Sequence, residues 1–314
     1  MSGLTSIRRA TAALAMSLIL HGCGGAQPAG VPPASGPAAH AATSSGDLLY
    51  ATGSDSSGAQ VFMLSYPQGQ LVGSIPVPAS GLCSDTNGNV YVLWNNAATE
   101  YAHGGTTPLK TLRIPGATMY GCAVDPTTNN VALVFSCPPC QYENLAIFPN
   151  GSGPPTRYVA PYAYTCTYDG QGNLFLDSNG SQLSELPSGS QTFATITLNK
   201  SIAGPGQVQW DGTYVTLQSI GSPGAIYRIQ VSGSSGTVVG ETKLARYMRY
   251  ENDSWISASD GTVVMPFSQH GDQTTQLGVW KYPRGGHATK VIKKIGVGDR
   301  GFYSVTVSVA PSAH

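Results

Sequence analysis

Asp85, Asn87 and Asn89 alternate around Gly88 in the stretch GLCSDTNGNVYV, residues 81–92. Oxygen-bearing side chains at alternate positions begin a calcium loop, and they equally begin a tight turn ahead of a β-strand. An EF-hand-type loop further requires glycine at its sixth position and a bidentate glutamate at its twelfth. Counted from Asp85, those places hold Val90 and Asn96. Four related stretches decide between the readings: DPTTNN from Asp125, DGQGN from Asp169, and DGT from both Asp211 and Asp260. They keep the aspartate and a following Gly or Asn but lose the alternating asparagines. An Asp side chain caps a turn and Gly or Asn accepts a positive φ, so the pattern predicts turns rather than metal ligands.

The cysteines offer a second chemistry: Cys23, Cys83, Cys122, Cys137, Cys140 and Cys166. CPPC at 137–140 has the spacing of a redox dithiol, half a zinc site or a small structural disulfide. Redox pairs place the first cysteine at a helix start, where the dipole stabilises a thiolate. Here VALVFS precedes the motif and ENLAIF follows it, which predicts a hairpin loop between strands. Zinc would need a second ligand pair, and the histidines at 21, 40, 103, 270, 287 and 314 form no spaced cluster. A structural Cys137–Cys140 bridge is therefore expected. Cys122 and Cys166 each stand three residues before a turn aspartate, and Cys83 stands two before one. The matched positions favour a Cys122–Cys166 bridge, with Cys83–Cys122 as the other pairing; one of the three stays free.

Other chemistry is missing from the sequence. It holds no G-x-S-x-G, HExxH, Walker loop or glycine-rich dinucleotide fingerprint. Sixteen Lys and Arg balance sixteen Asp and Glu, with no basic block, so the footprint of a nucleic-acid binder is absent. No catalytic residue and no cofactor are assigned.

Many short strands joined by turns explain the composition. Charged residues make up only 10% of the 314, with 39 Gly, 22 Pro and 16 Tyr against 7 Phe. Two patterns alternate along the chain. In the first, an apolar strand ends at Asp, turns, and is followed by another apolar strand; its aspartates fall at 85, 125, 169, 211 and 260. In the second, an aromatic or apolar residue, usually followed by Pro, leads into a glycine turn. Its copies are YPQG (66–69), YAHG (101–104), FPNG (148–151), LPSG (186–189), VSGSSG (231–236) and YPRG (282–285). Intervals of 40, 44, 42 and 49 residues between the aspartates fit four strands per repeat, which is the period of a β-propeller. The domain opens on DLLYAT (47–52), matching the strand after an Asp turn, and closes on FYSVTVSVAP (302–311), matching the strand before one. The expected fold is all-β: a six-bladed β-propeller over 47–311, closed by pairing of its N- and C-terminal strands, followed by a 312–314 tail.

The front of the chain reads as an address. Arg8 and Arg9 precede the apolar ATAALAMSLIL (10–20), which is too short to span a bilayer and is expected, with 1–22 as a whole, to be a signal peptide. Leu20, Gly22 and Cys23 resemble a bacterial lipobox, which makes Cys23 the lipidated first residue of the mature protein. Residues 23–46 are rich in Pro, Ala, Gly and Ser without apolar periodicity, the composition of a flexible tether. Gly24, where an inner-membrane lipoprotein often carries Asp, implies by that same resemblance the outer membrane, with the protein facing the periplasm or the cell surface.

CAVDPTTNNVAL…NLAIFPNG and GLCSDTNGNVYV…TEYAHGG resemble the repeat units of the NHL and YVTN families, and the rhythm covers 47–311. The whole is similar to exported bacterial propeller lipoproteins; the resemblance implies fold and location and no activity. In propellers, ligands bind where the inter-blade loops meet the middle-strand loops at the channel mouth. Those loops collect Trp94, Asn95, Tyr162, Tyr164, Arg246, Arg249, Asn252, Asp253, His270, Asp272, Asp299 and Arg300. Together they make a polar, aromatic rim suited to a glycan, a peptide or a partner protein. The expected function is a monomeric, membrane-anchored binding module. The alternative is a hydrolase resembling the gluconolactonases, six-bladed propellers that hold a divalent metal, here calcium or zinc. It would draw ligands from Asn95, Glu143, Asp177, Asn252, Asp253 and Asp299.

Overall fold

Side chains alternate across a strand, so a strand with both faces buried reads as a continuous apolar run. Leu48, Leu49, Tyr50 and Ala51 are such a run, and all four are fully buried. Leu48 and Tyr50 pack with Val90 and Val92 of the following sheet, while Leu49 and Ala51 pack with Val264 and Leu277 of the last sheet. This is the logic of sheets stacked face to face around an axis. The computed structural model describes residues 46–311 apart from 56, 141–142, 162, 178–179, 220–223, 246–247, 251–252, 258, 270–274 and 294–300. Cys23, the signal segment, nearly all of the tether and the 312–314 tail therefore lie outside the described residues.

The strands form antiparallel meanders. Gly81–Ser84, Val90–Trp94, Ala97–Tyr101 and Pro108–Arg113 make one sheet, and Thr118–Val124, Val131–Ser136, Leu145–Phe148 and Thr156–Tyr158 the next. An eight-stranded sheet contains two further meanders, one from Cys166–Tyr168 to Ala194–Leu198 and one from Pro205–Trp210 to Ser235–Lys243. Their outermost strands touch in parallel only at Thr197–Ser235 and Leu198–Gly236. In the last sheet, Met248–Tyr250 and Trp255–Ser257 both pair with Thr262–Gln269, followed by Gln276–Lys281 and Lys290–Ile292. The first sheet holds Leu48–Asp55, Gly58–Ser65 and Leu71–Ile75, and its inner strand is Phe302–Ser308 from the other end of the chain. Leu48 sits opposite Ser308 and Thr52 opposite Ser304, as the matched terminal stretches predict.

Both repeated motifs have a physical role. The Asp85 carboxylate accepts the N–H of Asn87 at 2.9 Å and of Asn89 at 2.7 Å, and the Asn89 Nδ2 donates to its second oxygen at 2.9 Å. Asp169 repeats this with Gln171 and Asn173, and Asp211 with Thr213 and Tyr214. The turn's own donors thus occupy these carboxylates. The glycine hairpins instead reach the preceding sheet. Tyr66 Oη pairs with Thr262 Oγ1 at 2.6 Å, Tyr282 Oη donates to Asp211, and Gly104 N donates to Tyr50 Oη at 2.8 Å.

Two disulfides are present, Cys83–Cys122 and Cys137–Cys140, and Cys166 is a buried thiol. Cys137–Cys140 closes the loop between Val131–Ser136 and Leu145–Phe148, as the flanking strand patterns predict. The Cys122–Cys166 pairing favoured by matched positions is not formed. Equivalent residues on neighbouring inner strands project in the same rotational sense, so Cys166 faces the Cys122 sheet while Cys122 turns its sulfur onward to the preceding one. Cys122 lies in the apolar layer shared with Cys83, Tyr91 and Leu93, whereas Cys166 lies in the next layer with Ala123, Ala132 and Val134. Cys83, one residue out of step with the others, projects toward Cys122, and the Cα atoms stand 5.8 Å apart, inside the ordinary disulfide range.

Peptide mapping of alkylated, unreduced protein should recover the Cys83–Cys122 and Cys137–Cys140 peptides with Cys166 as the alkylated residue. Cys83→Ala should lower unfolding stability by about 2–4 kcal/mol in urea. Cys166→Ala should cost about 1 kcal/mol or less, because it removes only a small apolar group. A Cys122–Cys166 peptide would contradict this geometry.

Candidate functional site

The inner strands converge on a central channel, and polar side chains tie most of them to the next. Ser80 Oγ donates to Met119 O at 3.1 Å, and Ser84 Oγ donates to Val307 O at 2.8 Å. Thr165 Oγ1 accepts Val208 N at 3.0 Å, and Thr167 Oγ1 accepts Trp210 N at 3.1 Å. Gln209 Nε2 donates to Ser254 O at 2.7 Å, and Gln207 Oε1 accepts Ser254 N. Asp253 accepts Ser304 Oγ and Val305 N of the closing strand. Where these strands begin, the neighbouring backbones approach closely: a Cβ on Gly121 would lie 2.7 Å from Tyr164 O, and one on Gly81 would lie 2.9 Å from Tyr120 O. Only glycine permits that approach.

This end opens into a cavity of about 280 Å³ lined by Tyr120, Tyr164, Thr165, Gln207, Asp253 and Tyr303 among others. A second cavity continues the channel past Cys166, Thr167, Gln209 and Thr306. Tyr120, Tyr164 and Tyr303 stand at the mouth with 40%, 63% and 44% of their surface exposed, unusually open for aromatic side chains. The Tyr120 and Tyr164 rings lie 5.9 Å apart, tilted by 53°, and Tyr120 Oη pairs with Ser136 Oγ at 2.8 Å.

Two carboxyls serve this mouth. Asp177 is buried and accepts Tyr164 N at 2.8 Å and Thr165 N at 2.7 Å, fixing the start of the inner strand. Burial raises its pKa to about 6 despite those donors. Asp253 faces the channel from within a shell of protein that strips most of its hydration. Desolvation raises its pKa to about 7, against the pull of Ser304, Val305, Ser254 and Gln207, which donate to it.

The sequence placed a binding rim here, and the structure brings part of it together. Tyr164 and Asp253 line the cavity. Trp94, 45% exposed, and Asn95, at a positive φ of 51°, form the neighbouring hairpin turn, where Asn95 O accepts Met119 N at 2.9 Å. Arg249 lies on Met248–Tyr250 opposite Ser268. Tyr162, Arg246, Asn252, His270, Asp272, Asp299 and Arg300 lie outside the described residues. Of the oxygen donors a metal would draw on, Glu143 is instead paired with Arg157 at 3.1 Å. Among the described residues no three His, Cys, Asp or Glu side chains converge. Tyr120, Tyr303 and Gln207 were not singled out from the sequence. Tyr120 was findable, since it precedes Asp125 by the five residues that separate Tyr164 from Asp169.

No protein-family model and no curated protein matches the chain. Solved structures do match. A protein of unknown function from Bacteroides caccae superposes with a TM-score of 0.58 at 12% identity, covering 84% of this chain and 99% of that one. The β-propeller domain of Cps50 (Swd1) from Myceliophteria thermophila gives 0.54 at 10% identity, over 79% and 84%. U3-55K gives 0.51 at 8%, over 78% and 90%. At such identities the likeness is one of fold, and with the sheet topology it makes this chain a β-propeller. Its disulfides are the mark of an extracytoplasmic protein. Among the described residues no helix is long and apolar enough to cross a membrane.

Folding raises the Asp253 pKa from 3.8 to about 7, so the folded chain holds a proton that the unfolded chain has released over that interval. The stability this group contributes is full below the unfolded value and is lost as pH rises through about 7. The advantage in melting temperature of wild type over Asp253→Asn should therefore be larger near pH 5 than near pH 8. An equal difference at both pH values would contradict the assignment.

Proposed function

We propose that this chain is an envelope-anchored, non-enzymatic binding module that takes its ligand at the tyrosine-lined mouth of the propeller channel. The observation that carries the reading is three exposed tyrosines around a cavity whose floor is polar and sealed by side-chain bonds between inner strands. Rigid aromatic side chains with one polar end are favoured anchors of recognition sites, since they offer contact area at little entropic cost.

The propeller has six blades in this account. The eight-stranded sheet counts as two, because its halves share only two ladder pairs while each half is a complete antiparallel meander. Similarity to NHL and YVTN repeats is in keeping with that count. Residues 1–22 serve as signal peptide, Cys23 carries the lipid and 23–46 is the tether to the outer membrane. Supporting this, Gly46 O lies 3.2 Å from His103 Nε2, whose Nδ1 pairs with Ser308 Oγ at the far end of the closing strand. That strand has seven residues, which separates the tether's entry from the mouth by about 20 Å.

Lipidation and binding are tested separately. Cys23→Ala should abolish incorporation of labelled palmitate; incorporation that persists in this variant would overturn the anchor. The same full chain carrying Cys23→Ala should sediment with isolated cell envelopes. A further Tyr120→Ala/Tyr164→Ala change should abolish sedimentation without altering the melting temperature by more than a few degrees. Retention unaffected by the tyrosines would overturn the mouth as the binding site.

A further inference from the structure

The chemistry of the walls narrows the ligand, granted that the mouth binds one. Asp253 is the single Asp, Glu, Lys, Arg or His among the described residues lining the cavity. Its oxygens are taken by Ser304 Oγ, Val305 N, Ser254 N and the Gln207 side chain. It is therefore a structural tie and leaves no open acceptor for an ammonium or guanidinium group. Nor do the described walls offer a cation to a phosphate or carboxylate. What remains is neutral: the splayed faces of Tyr120 and Tyr164, the Tyr303 ring, and the Gln207 amide. The Thr165 hydroxyl is committed, accepting Val208 N and donating to Asp177, whereas the Gln207 amide donates one N–H to Asp253 and keeps its second.

A ligand that satisfies both halves needs an apolar face to lie on an aromatic ring and a rim of uncharged hydroxyls to meet the floor. At about 280 Å³ the cavity sits at the lower edge of the range for small-molecule sites, room for one ring rather than an extended chain. The tilt of 53° keeps the two tyrosine faces from stacking on each other, and the Ser136 bond holds the Tyr120 ring in place before anything binds. We propose that the mouth receives a single neutral pyranose ring, a terminal or branching sugar of a glycan. It would stack on Tyr164 and Tyr120 with its hydroxyls toward the Gln207 amide. This inference rests on the mouth being the binding site and adds the class of ligand.

Saturation-transfer NMR with the full chain carrying Cys23→Ala tests it. The probes are methyl β-glucopyranoside, methyl β-galactopyranoside and N-acetylglucosamine, with choline and acetate as charged probes of similar size. At least one pyranoside should bind in the millimolar range. Tyr164→Ala should weaken it about tenfold, the loss of one stacking face, while Tyr164→Phe retains it. Added salt should change the affinity little, because no charge is paired. Tyrosine-dependent binding of choline or acetate in place of the sugars would overturn the sugar assignment and leave the mouth as the site. Failure of every pyranoside would do the same if envelope retention still depends on the tyrosines. If retention is also independent of them, both readings fall.

Discussion

Inner strands that fan out around an axis cannot all be joined by a backbone ladder, and the structure depends on how that gap is bridged. Ser80, Ser84, Thr165, Thr167, Gln207, Gln209 and Asp253 each bond a group on the neighbouring inner strand. The Cys83–Cys122 disulfide adds a covalent tie between two of these strands. The circle is completed by Phe302–Ser308 lying along Leu48–Gly53, which leaves neither terminal strand as a free edge. Outside the circle the layers are apolar and continuous, with Trp280, Phe135, Phe267 and Tyr50 fully buried between or within sheets. Directional polar bonds near the axis set the spacing; non-directional burial farther out supplies the bulk of the stabilisation.

The mouth follows from the same constraint. Alternation at the start of the inner strands sends Met119 and Phe302 into the apolar layers and leaves Tyr120 and Tyr303, with Tyr164, in the open around the channel. The ties beneath them form a floor that is polar but already satisfied. The described walls thus offer shape and aromatic surface, with Asp253 the one carboxyl among them.

Much of this was legible in the sequence for a specific reason. The Asp turn and the glycine hairpin are local motifs whose chemistry is complete within a few residues, and their spacing measures the repeat. The closure was legible because DLLYAT and FYSVTVSVAP are complementary parts of one unit. What escaped was rotational. Counting from the turn aspartates gave Cys122 and Cys166 equal positions, and equality was read as proximity. Around an axis, equal positions face the same way, and a bridge needs opposite parity, as Cys83 has. The rim was legible as loops but not as geometry. Tyr164 was found because it lies in a Pro-containing loop between repeats, YVAPYAYT, whereas Tyr303 and Gln207 lie within strands, where alternation makes them look like ordinary strand residues.

Native-state hydrogen exchange along the closing seam tests the account most directly. If closure by the C-terminal strand holds the circle together, the hydrogen-bonded amides of Phe302–Ser308 and Leu48–Gly53 should exchange only through global unfolding. They should then show the same free energy as those of the central strand Val131–Ser136. Exchange of Phe302–Ser308 well ahead of Val131–Ser136, with the rest of the chain still protected, would contradict it.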